Sequence, residues 1–196
     1  MRGWITGFEE DFVAGWGRPV RIENEPELSL MGRYVRFQGN LDPGDNPAYV
    51  GGYDAMIINI WSQDNSSMSD PLFSGDPKTS ILRFEVNVLE AWSAGPIIAM
   101  FDGAGTNESM WWADGTQPRG FWVPWLETGS YKGDGWETVS IPLSEMKFSG
   151  NGTDVGVSST FGELGIGIHN RGMAAYGGTA CSPVILIDNV RVVPGD

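Results

Sequence analysis

The run ILRFEVNVLE at 81–90 sets Leu82, Phe84, Val86 and Val88 at every second position, with Arg83, Glu85 and Asn87 between them. A period of two belongs to an extended strand, because only there do positions i, i+2 and i+4 share one face. The flanking alternates Ile81 and Leu89 give the second face a mixed character. The run therefore predicts a strand with one buried face and one partly polar face. Comparable short runs recur at GRYVRFQG (32–39), AMIINIWS (55–62), PIIAMFD (96–102), ESMWW (108–112), GWETVSIPL (135–143), ELGIGIHN (163–170) and VILIDNVRVV (184–193). Glycine, proline, asparagine and aspartate break the chain between them. Many short strands punctuated in this way predict an all-β fold, an antiparallel sandwich or barrel. The segments FVAGW and SEMKFSG are too short to insist on as helices, so the crossover helices of a doubly wound fold are missing. SQDNSSMSDPLFSGDPKTS (62–80) reads as a long polar loop. With no linker and no internal repeat, a single domain over 1–196 is expected.

Charge narrows the partners. Lys+Arg 12 against Asp+Glu 25 leaves a formal charge of -13. Such a field repels phosphate backbones and anionic surfaces, so nucleic acid is excluded as a partner and a neutral ligand is favoured. No apolar run reaches the roughly 20 residues of a membrane-spanning helix, so no direct membrane insertion of this domain is expected. The opening MRGWITGFEEDF has no apolar h-region, so no signal peptide is expected within it. A lone cysteine, Cys181, forms no intramolecular disulfide and no thiolate metal cluster. Its plain reading is a small packed thiol, as that of the lone histidine, His169, is a satisfied strand end.

Recognised catalytic patterns are absent: there is no phosphate-binding glycine loop, no HExxH, no EF-hand loop and no GxSxG elbow. GAGTNE (103–108) lacks the full dinucleotide fingerprint and reads as a turn. Carboxylates are the one set that could support chemistry, as the pair of a glycoside hydrolase. Glu85 and Asp102 lie on candidate strands that could share a sheet face. The hydrolase pattern E-x-D-x-x-E begins at Glu9 and Asp11 but meets Ala14 where its second glutamate belongs.

Aromatic residues carry more information. In MWWADGTQPRGFWVPW (110–125), four tryptophans surround a turn-forming loop. A tryptophan has roughly 150–250 Å² to bury. Covering half of one with the C–H face of a sugar ring, at about 25 cal/mol per Å², is worth about 2–3 kcal/mol. Two or three such platforms, less ordering costs, lead to millimolar to micromolar affinity, roughly -4 to -8 kcal/mol. Trp111 and Trp112 are adjacent and would point to opposite faces of a strand, so one of them is expected to be a ligand platform. Pro124 cannot continue a central strand, which predicts a loop-edge position for Trp122 and Trp125. Trp61 shares its face with Asn59 and Ile57, and Trp92 follows a strand end; both are candidate contacts. Arg119, Asn59, Arg83, Glu85 and Asn87 are candidate partners for sugar hydroxyls. Trp16 and Trp136, in apolar company at strand starts, are assigned to packing.

Taken together, GFEEDF followed by a tryptophan, ILRFEVNV followed by MWWADG, GWETVSIPLSEM and the terminal VILIDNVRVV resemble a jelly-roll carbohydrate-binding module. The arrangement is similar, over essentially the whole chain, to the C-terminal xyloglucan-binding type domain of bacterial surface glycan-binding protein B. The resemblance implies an antiparallel β-sandwich that binds a polysaccharide or oligosaccharide through a tryptophan-lined groove without catalysis. The glycan would be xyloglucan or another neutral β-glucan or hemicellulose. The domain would be monomeric and either secreted or displayed outward at the cell surface by an outer-membrane lipoprotein. No cofactor is required, although many jelly rolls hold a structural Ca²⁺ between opening and closing strands; here Glu9 or Glu10 with Asp188 could supply oxygen ligands, or Asp188 could cap a turn. A jelly-roll glycoside hydrolase and a protein-binding adhesive sandwich are the alternatives.

Overall fold

The computed structural model describes residues 13–17, 20–23, 34–39, 41, 55–61, 73–74, 79–103, 109–110, 121–145, 160–169 and 178–195. Among the described residues there are twelve strands: β1 (Val13–Gly17), β2 (Val20–Glu23), β3 (Tyr34–Gln38), β4 (Ala55–Trp61), β5 (Phe73–Ser74), β6 (Ser80–Glu90), β7 (Ile97–Gly103), β8 (Ser109–Met110), β9 (Phe121–Trp122), β10 (Trp136–Pro142), β11 (Thr160–His169) and β12 (Val184–Pro194). A one-turn helix, α1, covers Trp125–Thr128, and a 3-10 turn covers Leu143–Glu145. Each alternating run of the sequence overlaps one of these strands. FVAGW is no helix: its last four residues, from Val13 to Trp16, lie in β1, which is registered from Val13 against Ile60 to Gly17 against Met56. Five cross-strand pairs outweigh a local pattern too short to hold a helix.

The strands form two antiparallel sheets. One has five strands in the order β10-β6-β12-β3-β2; the other has seven, following β1-β4-β11-β7-β8, with β5 added to β11 and β9 added to β7. Their inner faces share one core. Val35, Phe37, Leu82, Phe84, Val86, Val88, Ile185 and Ile187 come from the first sheet, and Ile97, Ala99, Leu164, Ile166 and Ile168 from the second. These side chains are essentially inaccessible to water. Their strict alternation is what commits each strand to its register, because a slip of one residue would turn every apolar side chain outward.

β12 breaks that alternation once. Ile185 and Ile187 face the core, but so do Val190 and Val192, and the ladder with β6 shifts between Asp188 and Arg191. Asn189 sits in the left-handed region at φ 50, and an oxygen of Asp188 accepts the Asn189 backbone N–H at 2.6 Å. Asparagine tolerates that conformation better than most residues, and the aspartate cap satisfies an N–H that the ladder has left free. The bulge changes the parity of everything after it. Without it Arg191 would continue the inward series of Ile185 and Ile187; with it, Arg191 reaches the outer face.

Candidate functional site

Of the residues singled out in the sequence, those that the structure describes fall in three places. The first is the outer face of the five-stranded sheet. There Arg191 Nη2 donates to Glu85 Oε1 at 2.8 Å, and Thr138 Oγ1 donates to the other oxygen, Glu85 Oε2, at 2.6 Å. Arg191 Nη1 also donates to the Asn189 carbonyl at 2.7 Å, tying the ion pair to the bulge. Glu85 and Asn87 are only 7% exposed, and Asp188 2%. Arg83 stands across from Arg191 and Ser140, with its Nε buried and unbonded. Both oxygens of Glu85 are already engaged, so this carboxylate is a brace of the sheet rather than an open acceptor for a ligand. Trp136 is half-buried beside Asn87.

A second group lies at one end of the sandwich. Trp92 pairs through its backbone with Tyr131, donating to the Tyr131 carbonyl at 2.9 Å and accepting its N–H at 2.8 Å. Its ring is 0% exposed and its Nε1 donates to the Ala94 carbonyl at 2.6 Å. Pro124 does end a strand, as expected, but it then starts α1, whose first residue is Trp125. That turn directs the indole inward: Trp125 is 2% exposed and its Nε1 donates to the Gly95 carbonyl at 3.1 Å. Gly178, at φ +116, passes so close that a Cβ there would lie 2.8 Å from the Ser93 carbonyl. Trp92 and Trp125 are therefore core residues, since neither ring has a face left for a sugar. Trp122 is half-buried, 5.5 Å from Trp92 and edge-on to Tyr131 at 5.4 Å. The Tyr131 hydroxyl donates to Glu137 Oε1. Burial, with that bond and the Glu137 charge, pushes the hydroxyl pKa up to about 12.

The third place is the outer face of the seven-stranded sheet, defined by register. Leu164, Ile166 and Ile168 of β11 belong to the core, so Glu163, Gly165 and Gly167 occupy the opposite face. Glu163 lies between Trp61 of β4 and Asp102 of β7. Gly165 lies between Asn59 and Met100, and Gly167 between Ile57 and Ile98. Beyond β4, β1 adds Ala14 beside Asn59 and Trp16 beside Ile57. Beyond β7, Ser109 stands beside Asp102 and Phe121 beside Ile98. The central strand thus carries no side chain at two successive outer positions, while tryptophan, asparagine and carboxylate positions border them. Both glycines are buried, so a flat polymer on this face would rest on the residues that border them. Trp16, assigned to packing in the sequence, stands on this outer face. Glu163, Gly165, Gly167 and Asp102 are not among the binding residues expected from the sequence, although the alternation of ELGIGIHN places glycine at two successive outward positions, between Glu163 and His169.

Glu85 and Asp102 do not share a face. They lie on different sheets, so they cannot act across one substrate. Trp111, Trp112, Arg119 and Glu9 lie outside the described residues. Among the described residues no group of three or more His, Cys, Asp or Glu is placed to hold a metal ion, and one Asp188 oxygen is engaged by the bulge. The described residues alone therefore do not make a calcium site. Among them, too, no helix is long and apolar enough to cross a membrane.

The model of the surface glycan-binding protein B xyloglucan-binding domain family matches residues 1–194. No curated protein matches the sequence. Among solved structures, surface glycan-binding protein PbSGBP-B from Prevotella bryantii is similar at 21% identity and a TM-score of 0.68, over 100% of this chain and 56% of that one. An SGBP-B from a complex xyloglucan utilization locus in Bacteroides uniformis is similar at 16% identity and a TM-score of 0.55, over 98% of this chain and 49% of that one. The chain thus spans about half the length of these solved proteins. At these identities the likeness is one of fold, a β-sandwich; it is the family model, matched along nearly the whole sequence, that assigns kinship. The chain belongs to the surface glycan-binding protein B xyloglucan-binding domain family.

Proposed function

We propose that this domain captures a neutral β-linked glycan of the xyloglucan class on the outer face of its seven-stranded sheet and does not cleave it. The family match over residues 1–194 carries this reading. Support comes from the glycine floor at Gly165 and Gly167, bordered by Trp61, Asn59, Glu163 and Asp102. A pyranose chain has apolar C–H faces that pack on indole and hydroxyl edges that need acceptors and donors, and this border offers both kinds of residue. Trp111, Trp112 and Arg119 remain contact candidates on sequence grounds. A neutral chain is also the polymer that a net charge of -13 does not repel.

Binding without hydrolysis is favoured because Glu85, the carboxylate most plausible as a catalyst in the sequence, is held by Arg191 and Thr138 on the other sheet. The parent protein, on this reading, is an outer-membrane lipoprotein that holds the domain outward as a monomeric module. Affinity electrophoresis tests the proposal: migration should be retarded in gels containing xyloglucan, and no new reducing ends should form on prolonged incubation. Unretarded migration in xyloglucan, β-glucan, mannan and xylan gels alike would sink it.

A further inference from the structure

Strand β9 is two residues long, and only Trp122 against Ile97 and Phe121 against Ile98 register it on β7. So short a strand is not held by its ladder alone. Its outer-face residue, Phe121, nevertheless completes the row Trp16, Ile57, Gly167, Ile98. What holds β9 in place is the inner side. Trp122 pairs with a core residue, so it stands on the inner face, where it meets Trp92 and the edge of Tyr131. Tyr131 in turn is fixed by its two backbone bonds to Trp92 and by the hydroxyl it donates to Glu137. Glu137 belongs to β10 of the other sheet, where it registers with core residue Val86 and so faces inward.

We propose that Trp122, Tyr131 and Glu137 are positioning residues for glycan capture: a relay anchored in the five-stranded sheet that seats β9, and with it Phe121, at the border of the glycan face. The proposal rests on the function stated above. The three residues act from the inner side and touch no glycan themselves. Their effect on affinity comes from pre-organisation, since a border that must be ordered on binding weakens the complex without changing its contacts.

Affinity for xyloglucan oligosaccharide should be measured by calorimetry, well below the melting temperature of each variant, for the wild type, Tyr131→Ala, Tyr131→Phe and Glu137→Ala. A folded protein that has lost only stability binds as the wild type does at that temperature. Tyr131→Ala removes a ring contact and should bind about fivefold more weakly. Tyr131→Phe keeps the ring, loses the tether and should bind about twofold more weakly; Glu137→Ala should match it, and the two changes combined should be no worse than either. If Tyr131→Ala does not fold, Glu137→Ala decides, because by register it faces neither outer surface. Wild-type affinity in folded Glu137→Ala overturns the relay. So does an equal loss in Tyr131→Phe and Tyr131→Ala, which would mean that the hydroxyl meets the sugar directly. A wild type that binds no glycan overturns both the relay and the function beneath it.

Discussion

The two sheets turn opposite kinds of surface outward. On the five-stranded sheet the outer face is crowded and satisfied: Glu85 is shared by Arg191 and Thr138, and Tyr34 and Leu186 are fully buried. On the seven-stranded sheet the central strand presents Gly165 and Gly167. Polar residues alone therefore do not mark a binding face. Where carboxylate and guanidinium have found each other, the face stabilises the fold; where glycines occupy the middle of a sheet, its outer positions carry no side chain of their own, although both glycines are buried.

Three measurements test this contrast. The largest effect is expected from Glu85→Ala, which strands Arg191, 14% exposed in its side chain, and deprives Thr138 of its acceptor. Breaking such a mostly buried pair from one side should cost about 3 kcal/mol in denaturant unfolding. Glycan affinity should not change; a folded variant that no longer binds would overturn the division between the faces. Next comes Gly165→Val, which places a branched side chain between Asn59 and Met100. Gly165 is buried, so some loss of melting temperature is expected from the added volume; at a temperature where the variant is folded, binding should weaken by about tenfold or more, roughly 1.4 kcal/mol. Unchanged affinity would remove the glycine floor from the site. The smallest effect concerns Tyr131, where the two sheets are tied together. Its hydroxyl pKa, pushed up to about 12, lies above the ordinary tyrosine value of about 10. The folded state thus holds this proton more tightly than the unfolded one. The resulting contribution is present below pH 10 and is lost as pH rises from about 10 to about 12. An alkaline absorbance titration should show a tyrosine ionising near pH 12, and Tyr131→Phe should abolish that step.

Much of the fold was legible because alternation is a local signal. ILRFEVNVLE and VILIDNVRVV each announce a strand and a buried face from a single stretch. Neither says which sheet a strand joins. That is why Glu85 and Asp102 could be imagined on one face, and why the pairing of Glu85 with Arg191, 106 residues away, was out of reach. Pro124 was rightly read as a break, but a break has no direction: only the turn of α1 shows that Trp125 points inward. Trp92 misled for a similar reason, since a strand end does not reveal that its backbone will pair with Tyr131. The Asp-Asn step in β12 was visible as letters, and its φ of 50 and change of parity were not. Gly165 and Gly167 are legible as letters, but only the register of β11 between β4 and β7 shows which residues border them.

The order of strands in space has a consequence for how the molecule comes into being. β12 lies between β6 and β3, and β11 between β4 and β7, so the middle of each sheet is supplied by the strands that come last in the sequence. A chain emerging from the ribosome has β3, β4, β6 and β7 long before either centre exists, and each of them waits with an unpaired edge. Neither sheet can close progressively; both close late, over long sequence separations, on the slow milliseconds-to-seconds side expected of non-local β folds. During that wait the exposed edges are open to other chains, and rapid pairing of β11 and β12 is what limits the time spent at risk of aggregation.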